Sequence, residues 1–485
     1  MSAAAVMPEI ESFEEFLKQD EAKDLLRFTT AGSVDDGKST LIGRLLVDSR
    51  NVYEDQLESV TKASAGRNAG TIDFSLLTDG LRAEREQGIT IDVAYRYFTT
   101  PRRKFIIADT PGHEQYTRNM VTGASTAELA IILADARKGL LPQSRRHAYI
   151  AALLGIPHLA IAVNKMDLVD YKQEVFVEIE RDFREFLAQF PWIETYFVPI
   201  SALVGDNVVE SSENMPWFRG PSLLEYLESV PGGNLAQRGS FRFPVQRVVR
   251  PNHEFRGYAG TVARGQVAVG DSIAIYPSGR RSTIASIVTF DGEIDSAEAG
   301  QSVTLTLADE IDIIRGDLIA AAGDAPEIAS TIEATLVWLN ETPAQLHKRY
   351  RIKHAARQEW AEIKEIPYRI NINSLEHEPA TSIQMNEIAL VHVETARALT
   401  FDPYRENRAT GSFILVDPVT NATVAAGMIS GAASLESSKR ARGLSWRIQG
   451  GELTISLPSA TGPGSGIIED LETREALERL LRGLK

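Results

Sequence analysis

The chain has 485 residues, of which 43% are hydrophobic and 24% charged, and its formal net charge is −15. Length and composition indicate a globular protein of about three or four domains, and the excess of acidic residues disfavours nonspecific binding to nucleic acid or anionic membranes. Because the sequence contains no cysteine, disulfides, thiol nucleophiles and thiolate metal sites are excluded.

Residues 1–23 predict an N-terminal helical extension, because Ile10, Phe13, Phe16 and Leu17 recur at helical spacing among acidic residues. The extension lacks the basic and apolar regions of a secretory signal. No stretch of the chain approaches the roughly 18 apolar residues that a membrane span needs. We therefore expect a soluble, cytoplasmic protein.

Residues 24–232 predict an α/β domain, because apolar strand-like runs alternate with helical stretches. This alternation is typical of a mostly parallel sheet with helices on both faces. Buried strands are predicted at 25–31, 105–108, 129–134, 159–163 and 196–200, and an edge strand at 93–98.

Two β-rich blocks follow, at 236–325 and 330–430. Glycines break the first block into short runs at the spacing of turns, which predicts a small antiparallel β-barrel. The remaining residues, 431–485, combine Gly-, Ser- and Pro-rich loops with apolar residues largely at helical spacing. They predict a C-terminal extension with an amphipathic helix.

A phosphate-binding loop is predicted between the first strand and the first helix. It is the run Gly32-Ser33-Val34-Asp35-Asp36-Gly37-Lys38-Ser39-Thr40, which fits the pattern G-x-x-x-x-G-K-[ST]. Backbone N–H groups of this loop, including those of both aspartates, would face the phosphates. We expect Lys38 to reach the β- and γ-phosphates, Ser39 to ligate Mg²⁺, and Thr40 to cap or pack.

Two further segments predict contacts to the γ-phosphate and its metal. Thr90, before the edge strand, can offer its hydroxyl to Mg²⁺, although such a threonine by itself is more often a β-former. The run Asp109-Thr110-Pro111-Gly112-His113 follows a buried strand. Asp109 would hold a magnesium-bound water and Gly112 would place its N–H against the γ-phosphate. His113 would orient the attacking water, unless it is a surface histidine without a role.

The base is predicted to be guanine. Asn164-Lys165-Met166-Asp167 follows a strand, and Asp167 can accept two hydrogen bonds from N1–H and the exocyclic amine of guanine, which adenine cannot donate. The Lys165 stem can lie along the purine ring. One β-unit later comes Ser201-Ala202-Leu203, where the Ala202 N–H could bind guanine O6. Together the motifs predict a GTP-binding, GTP-hydrolysing switch.

These motifs resemble those of the translational GTPases of the elongation factor Tu and elongation factor 1-alpha class, over roughly residues 20–430. The residues at 33–46, 85–92 and 109–120 resemble one particular family within this class. These stretches look like the GTPase subunit (large subunit, subunit 1) of bacterial heterodimeric sulfate adenylyltransferase, also called ATP sulfurylase. The resemblance implies that both β-rich blocks are barrels that follow a P-loop GTPase domain.

The resemblance also implies a reaction and a partner. ATP and sulfate would give adenosine 5′-phosphosulfate and pyrophosphate on a separate small catalytic subunit, with GTP hydrolysis on this chain coupled to that step. The assembly would be a heterodimer or a higher oligomer. No second phosphate loop of the GxxxxGK[ST] type is present, so we expect no adenylylsulfate kinase domain.

Two other functions remain open from sequence. A translation factor that delivers aminoacyl-tRNA, or acts in peptide release, is favoured locally by the basic run at 347–354. Such a run is more often a solvated strand edge, and docking of a partner subunit is a further explanation. A scaffold that binds GTP without useful turnover is the third interpretation, and His113 argues against it.

Overall fold

The computed structural model describes residues 23–33, 35–49, 93–111, 116–232, 239–252, 255–372, 374–433, 445–449 and 452–456. The predicted N-terminal helix, the Thr90 segment and the predicted C-terminal amphipathic helix lie outside these residues.

The first domain is built on a sheet whose described strands have the order β2-β3-β1-β4-β5-β6. The strands are β1 (Asp24–Ala31), β2 (Ala94–Thr99), β3 (Arg103–Asp109), β4 (Leu129–Asp135), β5 (His158–Asn164) and β6 (Glu194–Pro199). All neighbours are parallel except β2, which is an antiparallel edge strand on β3. The predicted α/β fold with a mostly parallel sheet is confirmed.

Helices cover both faces of this sheet. They are α1 (Lys38–Asp48), α2 (Thr117–Ala124), α3 (Pro142–Leu153), α4 (Gln173–Leu187) and α5 (Leu223–Ser229), with a 3₁₀ turn at Met166–Val169. The buried residues of α4 fall at intervals of three and four along one face. A capping box at Ser222 and Glu225 begins α5. None of the helices in the described ranges is long and apolar enough to cross a bilayer.

The strand β4 shows why the sheet needs helices on both sides. Its residues are all buried, but they alternate between two apolar clusters. Leu129, Ile131 and Leu133 pack with α1 on one face, and Ala130 and Ile132 pack with α3 on the other. A strand that is buried on both faces must be apolar throughout, so its carboxyl end is where polar side chains can meet.

The second domain is a closed antiparallel barrel. Its strands are β7 (Arg242–Val249), β8 (Gly257–Thr261), β9 (Gln266–Ala268), β10 (Ser272–Tyr276), β11 (Arg280–Thr289), β12 (Gly292–Ile294), β13 (Ser296–Glu298), β14 (Ser302–Leu307) and β15 (Leu318–Ala321). The order β10-β15-β7-β8-β14-β11 closes because β10 also pairs with β11. Closure removes the exposed strand edges that would otherwise pair with other chains.

The third domain is another closed antiparallel barrel, as the family resemblance implied. Its elements are β16 (Glu327–Trp338), β17 (Arg349–His354), β18 (Arg357–Ile370), β19 (His377–Glu378), β20 (Ile388–Phe401), a short helix α6 (Arg408–Gly411), β21 (Ser412–Val416) and β22 (Thr423–Ala432). The order β17-β21-β22-β16-β20-β18 closes through pairing of β17 with β18.

The basic run at 347–354 is not the strand edge that was expected. Most of it is β17, which pairs on one side with β18 and on the other with β21. Three of its charged side chains have partners within the third domain, on the solvent-facing side of the strand. Lys348 lies 2.9 Å from Asp417, Arg349 lies 3.2 Å from Glu362, and the Arg351 guanidinium lies over the Trp360 ring.

Residues 433–485 form a separate unit. Its described residues are an antiparallel pair of strands, β23 (Ser445–Gln449) and β24 (Glu452–Ser456). These two strands were not predicted from sequence, because the surrounding Gly, Ser and Pro residues indicated loops.

Candidate functional site

The candidate site lies at the carboxyl ends of the parallel strands. The phosphate loop follows β1, the central strand that pairs with β3 on one side and β4 on the other. Asp109 is the last residue of β3, Asp135 is the last residue of β4, and Asn164 is the last residue of β5. In open α/β sheets this edge is where ligands bind.

The backbone of the phosphate loop is restricted at Gly37. Its φ is +90°, and a Cβ there would lie 2.5 Å from Asn164 Nδ2. Only glycine satisfies both conditions without strain. Asp35 also has a positive φ, of 69°, which is uncommon for a residue with a side chain and marks a constrained loop.

Asp36 holds the loop closed from inside. Its Oδ2 accepts a 2.7 Å hydrogen bond from the Ser33 N–H, and its own N–H donates to the Ser33 carbonyl at 3.2 Å. The residue is 1% exposed, and burial raises the pKa of its carboxyl to about 6, although Lys138 and Lys165 oppose the rise. Asp36 Oδ1 and Ser33 Oγ are buried without a partner among the described residues.

Lys38, the first residue of α1, lies between the phosphate loop and the segment after β3. Its Nζ is 2.9 Å from Asp109 Oδ1 and also donates to the Thr110 carbonyl. Thr110 Oγ1 donates to the Thr30 carbonyl at 2.8 Å, which ties this segment to β1. Thr110 and Pro111 are buried.

The donor set at this point suits a hard cation. Ser39 and Thr40 are half-buried in the first turn of α1, and the carboxylate of Asp109 is buried at the end of β3. Hydroxyl and carboxylate oxygens are the ligands that Mg²⁺ takes in phosphate-binding sites. The residues therefore fit the predicted metal.

Asn164 connects three segments of the site. Its Nδ2 donates to the Asp36 carbonyl at 2.7 Å, and its Oδ1 accepts from the Ala202 N–H at 2.9 Å. Both bonds are buried. The Ala202 N–H, which from sequence could bind guanine O6, donates to Asn164 in the structure.

Asp167 and Ser201 lie together beside the loop after β5. Ser201 Oγ donates to Asp167 Oδ1 at 2.6 Å, which orients the carboxylate. Met166 is fully buried and anchors the 3₁₀ turn that carries Asp167. Leu203 is 49% exposed, and its carbonyl accepts a hydrogen bond from Arg44 of α1.

Lys165 extends back towards the phosphate loop. Its φ is +66°, and its Nζ donates to the Asp35 carbonyl and to Asp135 Oδ2, the latter at 3.0 Å. Asp135 also receives a fork of bonds from Arg137, at 3.0 Å from Nε and 2.6 Å from Nη2. Burial by itself would raise the pKa of Asp135, but the bonds from Arg137 and Lys165 outweigh burial and lower it.

Asp135 and Arg137 were missed by the sequence analysis. A signal was present, since Asp135 ends a fully buried strand at the same sheet edge as Asp109 and Asn164. The rule that carboxyl ends of parallel strands meet at a ligand site would have included it.

The structure brings together the described residues of the predicted phosphate loop, of 109–111, of 164–167 and of 201–203. Val34, Thr90, Gly112 and His113 lie outside the described residues, so their predicted roles stay predictions.

Two family models match the chain. The elongation factor Tu GTP binding domain matches residues 23–231, and the GTP-eEF1A C-terminal domain-like family matches residues 331–430.

Similar proteins extend the match across most of the chain. Sulfate adenylyltransferase subunit 1 of Cellvibrio japonicus (strain Ueda107) is 55% identical over 416 residues, which cover 85% of this chain and 88% of that protein. Sulfate adenylyltransferase subunit 1 of Bacteroides fragilis (strain YCH46) is also 55% identical, over 85% of this chain and 87% of that protein. The bifunctional enzyme CysN/CysC of Rhodopirellula baltica is 54% identical over 418 residues, which cover 85% of this chain and 65% of that protein.

Proposed function

Because the chain belongs to the family of sulfate adenylyltransferase subunit 1, we propose that it is the GTP-hydrolysing subunit of a sulfate adenylyltransferase. The reaction is the formation of adenosine 5′-phosphosulfate and pyrophosphate from ATP and sulfate, and GTP hydrolysis on this chain drives it. The observation that carries the proposal is the site itself. In a chain of this family, Asn164 joins the phosphate loop to the segments predicted to bind guanine.

The triphosphate would lie in the phosphate loop. Lys38 would exchange its contact with Asp109 for the β- and γ-phosphates, because these oxygens carry more negative charge than one carboxylate. Ser39, Thr90 and, through water, Asp109 would hold Mg²⁺, which supplies charge neutralisation at the phosphates. The Gly112 N–H would approach the γ-phosphate.

Recognition of the base would fall to Asp167. Ser201 fixes one of its oxygens, which leaves the carboxylate oriented for the two N–H donors on the Watson–Crick edge of guanine. Adenine offers no such pair, so it would leave the carboxylate without its partners.

Hydrolysis would depend on His113 as the residue that positions the attacking water. Phosphoryl transfer needs alignment and charge stabilisation more than covalent help from the protein. A His113→Ala variant should therefore retain GTP binding and lose most of its turnover. Normal turnover in that variant would remove His113 from this role.

We infer that the partner is the small ATP sulfurylase subunit, on which the adenylyl transfer occurs, and that the complex acts in the cytoplasm. Sulfate oxygen would attack the α-phosphorus of ATP there, and pyrophosphate would leave. The rival assignment to translation loses its local support, because charged side chains of the basic run have partners within the third domain.

The test is a reconstitution. The chain is mixed with the small subunit, ATP, sulfate, and either GTP or a non-hydrolysable GTP analogue, and adenosine 5′-phosphosulfate is measured. We expect its accumulation with GTP to exceed that with the analogue by a large factor. The His113→Ala chain serves as a matched control and should behave with GTP as the wild type does with the analogue. Equal accumulation with GTP and analogue would overturn the coupling.

A further inference from the structure

The carboxyl end of β4 carries a buried carboxylate that belongs to no predicted motif. The side chain of Asp135 is 0% exposed, yet it makes four hydrogen bonds to charged or backbone donors at the edge of the site. Burial of a charged group costs free energy unless hydrogen-bonding or oppositely charged partners are held beside it. Three of these bonds come from Arg137 and one from Lys165.

Lys165 depends on this contact. The side chain is 21% exposed, and its Nζ lies 3.0 Å from Asp135 and also donates to the Asp35 carbonyl. Both Lys165 and Asp35 have a positive φ. Two constrained backbone positions, one in the phosphate loop and one in the predicted guanine loop, are thus joined by one ammonium group, and Asp135 is the anion that holds that group in place.

Arg137 fixes the carboxylate in turn. Its guanidinium binds both oxygens of Asp135, the backbone N–H of Arg137 adds a 2.9 Å bond to Oδ1, and its side chain is 46% exposed. A planar fork of this kind sets the orientation of a carboxylate as well as its charge. Oδ2 is then aimed at Lys165.

We propose that Asp135, oriented by Arg137, is a positioning residue for guanine nucleotide: it sets the Lys165 side chain across the base site and locks that side chain to the phosphate loop. The inference rests on the proposed function, in which the Lys165 stem lies along the purine ring. Asp135 acts through Lys165, and both GDP and GTP should need it equally because neither contact involves the γ-phosphate.

The experiment measures GDP dissociation constants by calorimetry for the full-length chain and three variants: Asp135→Asn, Lys165→Met and the double variant. Asn keeps the size of the side chain and removes its charge. We expect each single substitution to raise the GDP dissociation constant by roughly tenfold or more. This is the factor that corresponds to loss of a charge-assisted hydrogen bond. The double variant should bind GDP no more weakly than Lys165→Met alone. The effects of two substitutions are not additive when one residue acts through the other.

Asp182→Asn is the matched control. Asp182 pairs with Arg181 at 3.1 Å on the exposed side of α4, where its side chain is 43% exposed, so the GDP affinity of Asp182→Asn should equal that of the wild type. In Asp135→Asn, binding of a non-hydrolysable GTP analogue should weaken by the same factor as binding of GDP, because the contacts of Asp135 and Lys165 do not involve the γ-phosphate.

Several results would overturn the inference. One is an unchanged GDP affinity in Asp135→Asn, and another is multiplication of the two single effects in the double variant. If Asp135→Asn does not fold, Arg137→Met takes its place, because that side chain is half-exposed. Its effect on GDP must vanish in the Lys165→Met background, and persistence there overturns the inference. Absence of GDP binding by the wild type would instead refute the proposed function.

Discussion

At the scale of single residues, the site depends on side chains that are buried and oriented before any nucleotide arrives. Asp36 closes the phosphate loop, Asn164 joins that loop to Ala202, and Ser201 holds Asp167. Each is held at hydrogen-bonding distance by a neighbour on another segment, apart from Asp36, whose partner Ser33 is in the same loop. Such preorganisation lowers the cost of ordering the site when it binds.

The Asp167→Asn substitution should change base selectivity. The Asn amide has one acceptor oxygen and one donor NH₂, so it can accept only one of the two N–H groups of guanine. Xanthine has a carbonyl where guanine has its amine, and the amide NH₂ can donate to that carbonyl. We expect GDP affinity to fall by roughly 100-fold or more and xanthosine diphosphate to bind better than to the wild type. Calorimetric titration with both nucleotides checks this. Retained preference for GDP would remove Asp167 from base recognition.

Asp36 should make the stability of the nucleotide-free protein depend on pH. Burial raises the pKa of its carboxyl from 3.8 to about 6, so between these values the folded protein holds a proton that the unfolded chain has released. The stabilising contribution is therefore full below about pH 4 and is lost as pH rises through 6. The shift corresponds to about 3 kcal/mol.

Asp36→Asn isolates this contribution, because other titrating groups are common to both proteins. The free energy of unfolding, measured by denaturant at pH 4.5 and 7.5, should fall more over this interval for the wild type than for the variant. Parallel behaviour of the two proteins would contradict the assigned protonation.

At the scale of elements, close approach of backbone to side chain fixes how strands are packed. Gly427 on β22 lies against the ring of Phe413 on β21, so that even one methyl group would overlap the ring. Phe413 itself is 3% exposed within the core of the third domain. A glycine in a strand interior is explained here by the space its neighbour occupies.

Gly427→Ala should destabilise the protein by roughly 1–3 kcal/mol, because overpacking forces the ring or the strand to move. Gly323→Ala is the matched control, since a Cβ there meets no atom within 4 Å. Thermal or denaturant unfolding of the two variants measures the difference. Equal stability of both variants would show that the barrel accommodates the methyl group.

At the scale of the molecule, the third domain is bonded to both of the others. Arg408 donates to the Ala127 and Gly155 carbonyls of the first domain, and Tyr404 donates to the Leu154 carbonyl. On the other side, Arg242 of the second domain forms a buried ion pair with Asp402, at 2.9 Å. Burial of both charges makes that pair costly to break.

Arg408→Ala should loosen the first domain from the third. Its two carbonyl partners lose a charged donor, which corresponds to roughly 1–3 kcal/mol of contact energy. We expect faster amide hydrogen exchange in the segment around Gly155 and unchanged exchange within the second domain. Arg397→Ala, at a 74% exposed side chain of the third domain, is the control. Unaltered exchange around Gly155 would exclude Arg408 as a link between the domains.

The sequence by itself determined the fold class and the nucleotide motifs. Alternating apolar runs specify a sheet buried on both faces, and the glycine and lysine of a phosphate loop occur at fixed spacing, so both are local properties of the chain. The described strands from β1 to β6 accordingly fall close to the predicted runs.

Only the tertiary structure decided which side chains meet. Asp135 joins Lys165 across 30 positions, Asn164 reaches Asp36 across 128, and Arg408 reaches Gly155 across 253. It also placed the basic run of the third domain on an interior strand with partners. Contacts between distant positions depend on how the sheet orders its strands, and no local pattern in the chain encodes that order.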